Sequence, residues 1–506
     1  MSNLPPRELW PELVYRLPEL RYADTLNVAE QLLSTQLASG RGSQNAILYR
    51  DHAISYAALA RDVLAFATAL ARRGVQPRDR IALRIPNRPD FVIAWLAVQW
   101  LGAVAVSIPP LYRRREIAHV VNHSGATTVI CADDVVDDVV AARSDFANDV
   151  PLVVMPMPRG AAEGGPFPAA HPTGRDEPAL ITYITNADGP PKGVVQSPAE
   201  ILASADTYAR HVLGLTSRDV CAGHPALAWA FGLGALLVFP LRVGATTVLI
   251  DGVSPTLLEA AAASRASVLF CVPTMYRLLL RQPDLNVSDL RTLRCCVSSA
   301  EPLPAAVFAE WRARTGLEIL DGLGTTELGH IVISSRPGAV RPGCIGTPVA
   351  GYEARIVDQQ FGSVPDGTPG RLAVRGPTGC RYWRDPEAQR RAVCRGWTLT
   401  GDICVRHDDG VFEHRGRVDD LIVSGGYKIS PAEVTRVLLD HPAVAQVSVV
   451  QASDPVRGAI PKAVIVPAPG IERSGLVEML QQYLKRELAP YKCPREMQLV
   501  QTEPGE

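Results

Sequence analysis

Neither sign of charge is in excess in this chain. Its 506 residues carry 51 lysines and arginines against 52 aspartates and glutamates, a formal net charge of −1. A balance of that kind gives no broad surface for nucleic acid or for an anionic membrane. Cysteine is present but unpatterned. The ten residues (131, 221, 271, 295, 296, 344, 380, 394, 404, 493) show no CxxC spacing, and most sit in apolar strand-like runs such as Leu269-Phe270-Cys271-Val272. Reduced core thiols are expected rather than disulfides or a zinc site. No apolar run reaches membrane-spanning length, the first residues (MSNLPPRELWPELVYR) hold no apolar signal core, and there is no internal repeat or low-complexity tract. A soluble cytoplasmic protein with no membrane and no nucleic-acid partner is the expectation.

What is present is a large apolar share, 47%, in a chain long enough for two or more domains. Apolar residues recur at helical spacing over 57–73 and stop at Gly74. Strand patterns come next at 80–85, 103–108 and 127–131, with a helix at 89–101 between the first two. A Pro/Gly-rich stretch over 155–178 reads as a linker, after which strand patterns resume at 246–250, 268–272, 293–297 and 318–320. Near-continuous apolar strands alternating with helices argue α/β, with doubly wound sheets. The texture changes near Gly416. Asp408-Asp409-Gly410 marks a hairpin, Ser430-Pro431-Ala432-Glu433 a helix start, 444–450 and 463–466 strands, and 476–488 a helix. The expected organisation is a large N-terminal part, 1–417, and a small mobile α+β part, 418–506.

The most telling stretch is ITYITNADGPPKGVV, 181–195. A strand-like run enters a Gly/Pro turn and ends in Lys192-Gly193, the layout of a loop that wraps phosphate with backbone N–H groups and one lysine. Three more segments lie beyond it in order: Asp321-Gly322-Leu323-Gly324-Thr325-Thr326-Glu327, Gly396-Trp397-Thr398-Leu399-Thr400-Gly401-Asp402, and GRVDDLIVSGGYKIS from Gly416 to Ser430. Together these resemble the superfamily of acyl-CoA ligases, adenylation domains and luciferases, over about 27–500, and most of all its benzoate-CoA-ligase-like branch. The resemblance implies the adenylate-forming fold and two half-reactions. A carboxylate and ATP give an acyl-adenylate and pyrophosphate; the small part then rotates, and the CoA thiol displaces AMP.

By the same resemblance Asp402 holds the ribose diol, assisted by Arg417. Thr326 donates to the α-phosphate, and Ala300, Glu301, Pro302, Asp321 and Gly322 line the adenylate site. Trp229, Phe231 and His330 line the acyl pocket. Asp419 is the hinge. Gly425, Gly426 and Lys428 face the CoA arm, so Asp419, Gly426 and Lys428 are the expected catalytic set. Glu327 is a magnesium ligand in the family and is expected here as a structural carboxylate or as that ligand.

Two departures fall on one half-reaction. The family loop reads roughly SGTTGxPKG; here Asn186, Ala187 and Asp188 replace the glycine and the hydroxyl residues, while Lys192 is kept. A carboxylate about 4 Å from a phosphate charge costs about 4 kcal/mol at an effective dielectric near 20. Lys192 is expected to pair with Asp188. The family also carries a lysine in a segment after Leu-Pro, whereas this sequence runs Gln501-Thr502-Glu503-Pro504-Gly505-Glu506. The expectation is therefore a non-adenylating acyl-CoA ligase, resembling the type described in platensimycin and platencin biosynthesis. It takes a preformed acyl-adenylate, uses coenzyme A as co-substrate and releases AMP, with no tightly bound metal. A separate adenylating enzyme would supply the donor. The competing readings are a full ATP-dependent ligase, which would use magnesium, and an inactive ligand-binding homologue. The acyl pocket suggests a bulky apolar or polycyclic acid.

Overall fold

The computed structural model describes residues 3–156, 168–187, 189–250, 256–282, 290–419 and 421–500. Two sheets flanked by helices form the large N-terminal part. One has six strands in the order Leu152–Met155, Thr128–Ala132, Arg80–Arg84, Val104–Ser107, Leu180–Ile184, Lys192–Gln196. All are parallel except the last, which turns back against Leu180–Ile184. The phosphate-loop sequence is that turn, at the sheet edge. The second sheet has nine strands, with Ile319–Gly324, Cys295–Ser298, Val268–Cys271, Val220–Gly223, Thr246–Leu249 and Asn45–Tyr49 in parallel at its centre. Their burial on both faces accounts for the continuous apolar runs.

The expected helix at 57–73 is Tyr56–Arg72, capped by Ser55, whose hydroxyl accepts from Ala58 N–H at 3.2 Å. The helix at 476–488 is Leu476–Glu487. The stretch expected as a linker is only partly one. Residues 157–167 lie outside the described residues, but His171 and Thr173 are bonded to the N-terminal segment: Leu26 N–H donates to Thr173 O and Asn27 Nδ2 to His171 O. Polar backbone anchoring of this kind leaves no hydrophobic periodicity to read.

Beyond these sheets lies a five-stranded antiparallel sheet that the sequence pattern did not announce. Its strands are Glu353–Val357, Gly370–Arg375, Trp397–Arg406, Val393–Cys394 and Phe412–Arg417. Only the hairpin between the long third strand and the last was legible. The small C-terminal domain then brings the hairpin Ile422–Ser424 with Tyr427–Ile429, and a sheet of Val444–Asp454, Gly458–Pro467 and Glu496–Leu499. It closes over its own apolar cluster, which includes Ile422, Val434, Leu438, Ile465, Leu480 and Leu484. All ten cysteines are free, nine of them buried.

One buried ion pair ties the two kinds of sheet. Glu200, at the start of helix Pro198–Ser204, accepts from Ser197 N–H and Ser197 Oγ, from Gly379 N–H, and from the guanidinium of Arg381. Both charged side chains are about 1% exposed. Removing one partner leaves the other charged and dry. We therefore expect Glu200→Ala to lower unfolding free energy by about 3–5 kcal/mol in urea titration. The exposed Arg391–Glu387 pair, broken by Glu387→Ala, should cost no more than about 0.5 kcal/mol. Equal losses at the two sites would refute the assignment of Glu200 as the tie.

Candidate active site

The geometry centres on one arginine. Strand Trp397–Arg406 carries Asp402, and antiparallel pairing sets Arg417 of strand Phe412–Arg417 directly opposite it. Arg417 Nη1 donates to Asp402 Oδ1 at 2.9 Å. Its Nε and Nη2 donate to both oxygens of Asp419, at 2.6 and 2.7 Å, a fork-to-fork pair. His414 Nε2 lies 3.3 Å from Asp402 Oδ1. Asp402 is 5% exposed. Burial alone would push its carboxyl up. The His414 hydrogen bond and the charges of Arg417 and Lys428 outweigh that and hold it below the ordinary 3.8. Lys428 reaches the same place from the C-terminal hairpin. Burial and the neighbouring Arg417 lower its pKa, while Asp402, Glu327 and Asp419 pull the other way.

A second wall is built from the parallel sheet. Asp321, in the middle of the strand Ile319–Gly324, has its carboxyl pushed up to about 7 by burial, and its Oδ1 has no hydrogen-bond partner. Thr325 Oγ1 is likewise buried and unpartnered. Ala300 holds φ at 76°, the left-handed region that costs alanine about 1–2 kcal/mol. That turn presents Glu301, whose Oε1 accepts from Thr274 N–H at 2.6 Å. Pro302 comes next, exposed. Glu327, beside Thr326 in the one-turn helix Thr326–Leu328, accepts from the Tyr382 hydroxyl at 2.8 Å.

The expected pairing of Lys192 with Asp188 falls outside the described residues. The Lys192 Nζ sits 4.8 Å from the centre of the Tyr382 ring, a cation–π contact. The expected acyl-pocket trio divides. Phe231 and His330 are together, ring centres 5.5 Å apart, whereas Trp229 stands edge-on to Tyr112 in a different cluster. His330 is 4% exposed, and burial lowers its pKa to about 3, so it is neutral. Its Nε2–H donates to Phe231 O at 3.2 Å, which leaves Nδ1 an acceptor without a partner. Two π-helical turns, Ala205–Ala209 and Gly234–Val238, flank this histidine. Tyr208 packs on its ring, and a Cβ at Gly234 would meet its Cδ2 at 2.4 Å. Such bulges are a frequent mark of functional sites and leave no simple sequence signal.

The C-terminal hairpin docks on the large part through polar contacts. Gly425 (φ 55°) and Gly426 (φ 81°) are the central pair of a two-residue turn between Ser424 and Tyr427, in which both positions need positive φ. The turn, not only a ligand's approach, demands glycine here. A Cβ on Gly426 would press Val272 at 3.1 Å. Thr185 Oγ1 donates to Lys428 O and Ser430 Oγ to Ala187 O, both at 2.9 Å, so the small domain holds the phosphate-loop backbone directly. Sequence reasoning missed Thr185, Tyr382 and His414, and read Ser430 only as a helix cap. Among the described residues, one group could ligate a metal: Cys344, His407 and Glu413, at the opposite end of the Asp402 hairpin. There Glu413 already pairs with His407 and Arg415.

Comparison with known proteins agrees with this layout. The profile of the AMP-binding enzyme family matches residues 35–383, and that of the AMP-binding enzyme C-terminal domain matches residues 433–505. A benzoate–CoA ligase of Thauera aromatica is 32% identical, over 96% of this chain and 94% of its own. The crystal structure of the anthranilate CoA ligase AuaEII with anthranoyl-AMP superposes with a TM-score of 0.77 at 29% identity, covering 97% of this chain and 96% of that one. The amide bond synthetase McbA of Marinactinospora thermotolerans gives 0.86 at 26% identity, covering 95% and 96%.

The Asp402 cluster has a pH signature. A carboxyl held below its unfolded value stabilises the fold above that value and loses the contribution as pH falls through the depressed one. We expect wild type to exceed Asp402→Asn in stability by a constant margin from pH 7 to about 5, a margin that shrinks only below the ordinary 3.8. Urea melts across pH 7 to 3 measure it. A margin that closes between pH 7 and 5 would contradict the geometry.

Proposed function

The chain belongs to the AMP-binding enzyme family, as an acyl-CoA ligase of the aryl-CoA-ligase-like branch, and from that premise we propose that it works mainly on the second half-reaction. It takes a preformed acyl-adenylate, lets the CoA thiol attack the acyl carbon, and releases AMP. The observation that carries this reading is the phosphate loop. Asn186 and Ala187 supply no hydroxyl, and Asp188 adds a negative charge where pyrophosphate would lie. Asp402, Arg417, Asp419 and Lys428 nevertheless converge, and the small domain is docked on that loop through Ser430 and Thr185.

In this reading Asp402 accepts the ribose diol. Its contacts with Arg417 and His414 both use Oδ1, so Oδ2 faces the ligand. The unpartnered Asp321 Oδ1 and Thr325 Oγ1 serve the adenylate, with Ala300, Glu301, Pro302, Gly322 and Thr326 around it. Lys428 sits where the thiol arrives, and its positive charge favours a thiolate and offsets the phosphate. Asp419 is the hinge at the 417/418 boundary. The acyl group lies against the contacting pair Phe231 and His330 and is a bulky cyclic acid, in keeping with the benzoate and anthranilate ligases among the relatives. The unpartnered His330 Nδ1 suits an acid that carries a donor. A separate adenylating enzyme then supplies the donor, an arrangement suited to secondary metabolism, including antibiotic biosynthesis.

The second reading is the complete ATP-dependent ligase, which the full-length similarity to benzoate–CoA ligase favours. In that case Glu327 and a magnesium ion enter, and Lys192 serves the phosphates. An amide bond synthetase shares the fold, which makes an amine the competing acceptor.

Two parallel assays decide. Benzoyl-adenylate and a polycyclic acyl-adenylate, each with CoA, should give acyl-CoA and AMP without magnesium. The same acids with ATP, magnesium and CoA should give pyrophosphate exchange at background. Robust exchange would establish the complete ligase instead, and transfer to amines but not CoA would remove the thioester reading. Asp402→Ala should weaken adenylate binding by about 1.5–3 kcal/mol. Gly425→Asn preserves the turn, since Asn-Gly is the favoured pair there. It should raise KM for CoA at unchanged adenylate affinity. An unchanged KM would remove these glycines from the CoA path.

A further inference from the structure

Lys492 is the only lysine among the described residues with no exposed side-chain surface at all, and it lies far along the chain from every motif above. Its Nζ is 2.6 Å from Glu116 Oε1 and 2.9 Å from Glu433 Oε1. The two carboxylates belong to different parts of the molecule. Glu433 is in the first turn of helix Pro431–Leu439 in the small domain; Glu116 is in the first turn of helix Arg114–Ser124 in the large part. Glu116 Oε2 accepts from Arg113 N–H in its own helix and from Ala489 N–H across the interface, each about 2.8–2.9 Å. Both oxygens of one large-part carboxylate are thus committed to small-domain donors.

The placement is not that of an ordinary surface ion pair. Glu116 is 2% exposed and Glu433 5%. Tyr112 and Tyr491 close over the ammonium, 5.4 and 5.9 Å away. Burial raises the Glu116 carboxyl, and the Lys492 charge opposes that rise. If the small domain leaves this orientation, Lys492 keeps Glu433 but Glu116 loses two donors. The cost of parting therefore falls on the docked arrangement alone.

The same helix turn reaches the phosphate loop. Ser430 caps helix Pro431–Leu439 by accepting from Glu433 N–H and donates its hydroxyl proton to Ala187 O. Its neighbour three residues on does not fold back to complete a capping box; it binds Lys492 instead. One rigid turn thus carries two tethers to the large part, one at the loop and one at Glu116. Directly before that turn in the chain comes the hairpin that sets Gly425 and Gly426 beside Thr274 and Val272 and carries Lys428 to the Asp402 cluster.

We infer that Lys492 is a positioning residue, which through Glu116 latches the small domain in the orientation that delivers Lys428 and the CoA path to the acyl-adenylate. This deepens the proposed acyl-transfer reading and rests on it for its catalytic readout. The latch touches neither adenylate nor thiol, so it acts on the population of the docked state.

The test uses the full chain with Glu116→Gln, which keeps the shape and the helix-capping acceptor but removes the charge facing Lys492. Two readouts are taken. In single turnover with benzoyl-adenylate and saturating CoA, the rate should fall at least roughly tenfold while benzoyl-adenylate affinity stays within about twofold. Spin labels at Asn148 and Glu472, both exposed, should show one narrow distance distribution in wild type and a broadened one in the variant. Lys492→Met approaches the contact from the other side and should give the same split. An unchanged rate with an unchanged distance distribution overturns the latch. So does an equal loss of adenylate affinity and rate with a lowered Tm in both variants, which would mark a merely structural contact. If wild type makes no acyl-CoA from any adenylate, the functional reading falls, and the distance measurement still decides the latch.

Discussion

The arrangement depends on the division of one guanidinium. Arg417 gives one N–H to Asp402 and a bidentate pair to Asp419. Asp402 is fixed by a strand of the large part, paired in register. Asp419 lies two residues past the end of that pairing, where the chain crosses into the small domain. A delocalised planar cation can serve both because its donors form a rigid fork on one side and leave Nη1 for the other. Lysine, a point charge, can sit between two carboxylates but cannot give one of them a bidentate fork. Arg417 therefore couples the two carboxylates, and whatever draws on Asp402 shifts the electrostatics of Asp419, at the junction with the small domain.

Much of this was legible because the chemistry is local in sequence. Asp402, Arg417 and Asp419, which the structure brings together, lie within an 18-residue window, 402–419, and Gly425, Gly426 and Lys428 come directly after. The α/β sheets were legible because buried parallel strands announce themselves as apolar runs. The antiparallel sheet was not, since most of its strands are short and half-buried and are separated by turns such as Asp366-Gly367. Trp229 was placed with Phe231 and His330 by the family resemblance; in the structure it is the extended N-cap of helix Ala230–Leu233 and packs on Tyr112, in a different cluster from Phe231. Lys192 also stands over Tyr382, 190 positions away, and nothing local in the sequence signals that contact.

The two half-reactions make different demands on the residues that changed and those that did not. Adenylation must neutralise a triphosphate and its departing pyrophosphate, so it needs donors and cations at the loop. Acyl transfer starts from a mixed anhydride with one phosphate charge. Its leaving group is already good, and the remaining work is to bring a thiolate to the acyl carbon. On the proposed reading, a loop with Ala187 and Asp188 in place of hydroxyl residues hurts the first and is indifferent to the second, while an Asp402–Arg417 pair at the ribose would serve both.

The interface between large and small parts is polar where it matters. Each part has its own apolar cluster, with Ala489 and Tyr491 of the small domain joining one in the large part, and the polar contacts that bridge them include Thr185 to Lys428 O, Ser430 to Ala187 O, Arg277 to Val456 O, Arg115 to Asp440 and Glu487, Ala489 N–H to Glu116, and Lys492 between two glutamates. An apolar interface is non-directional and tolerates sliding; hydrogen-bonded charges hold one register and leave a large penalty for near misses. A domain that must occupy more than one orientation gains from that discreteness, because a few directional bonds define a state without the area that would make it permanent. This also explains what the sequence could not disclose. The hinge is a contiguous motif, but its docking partners are single residues scattered from 115 to 492, each ordinary alone and meaningful only once the fold sets them within bonding distance.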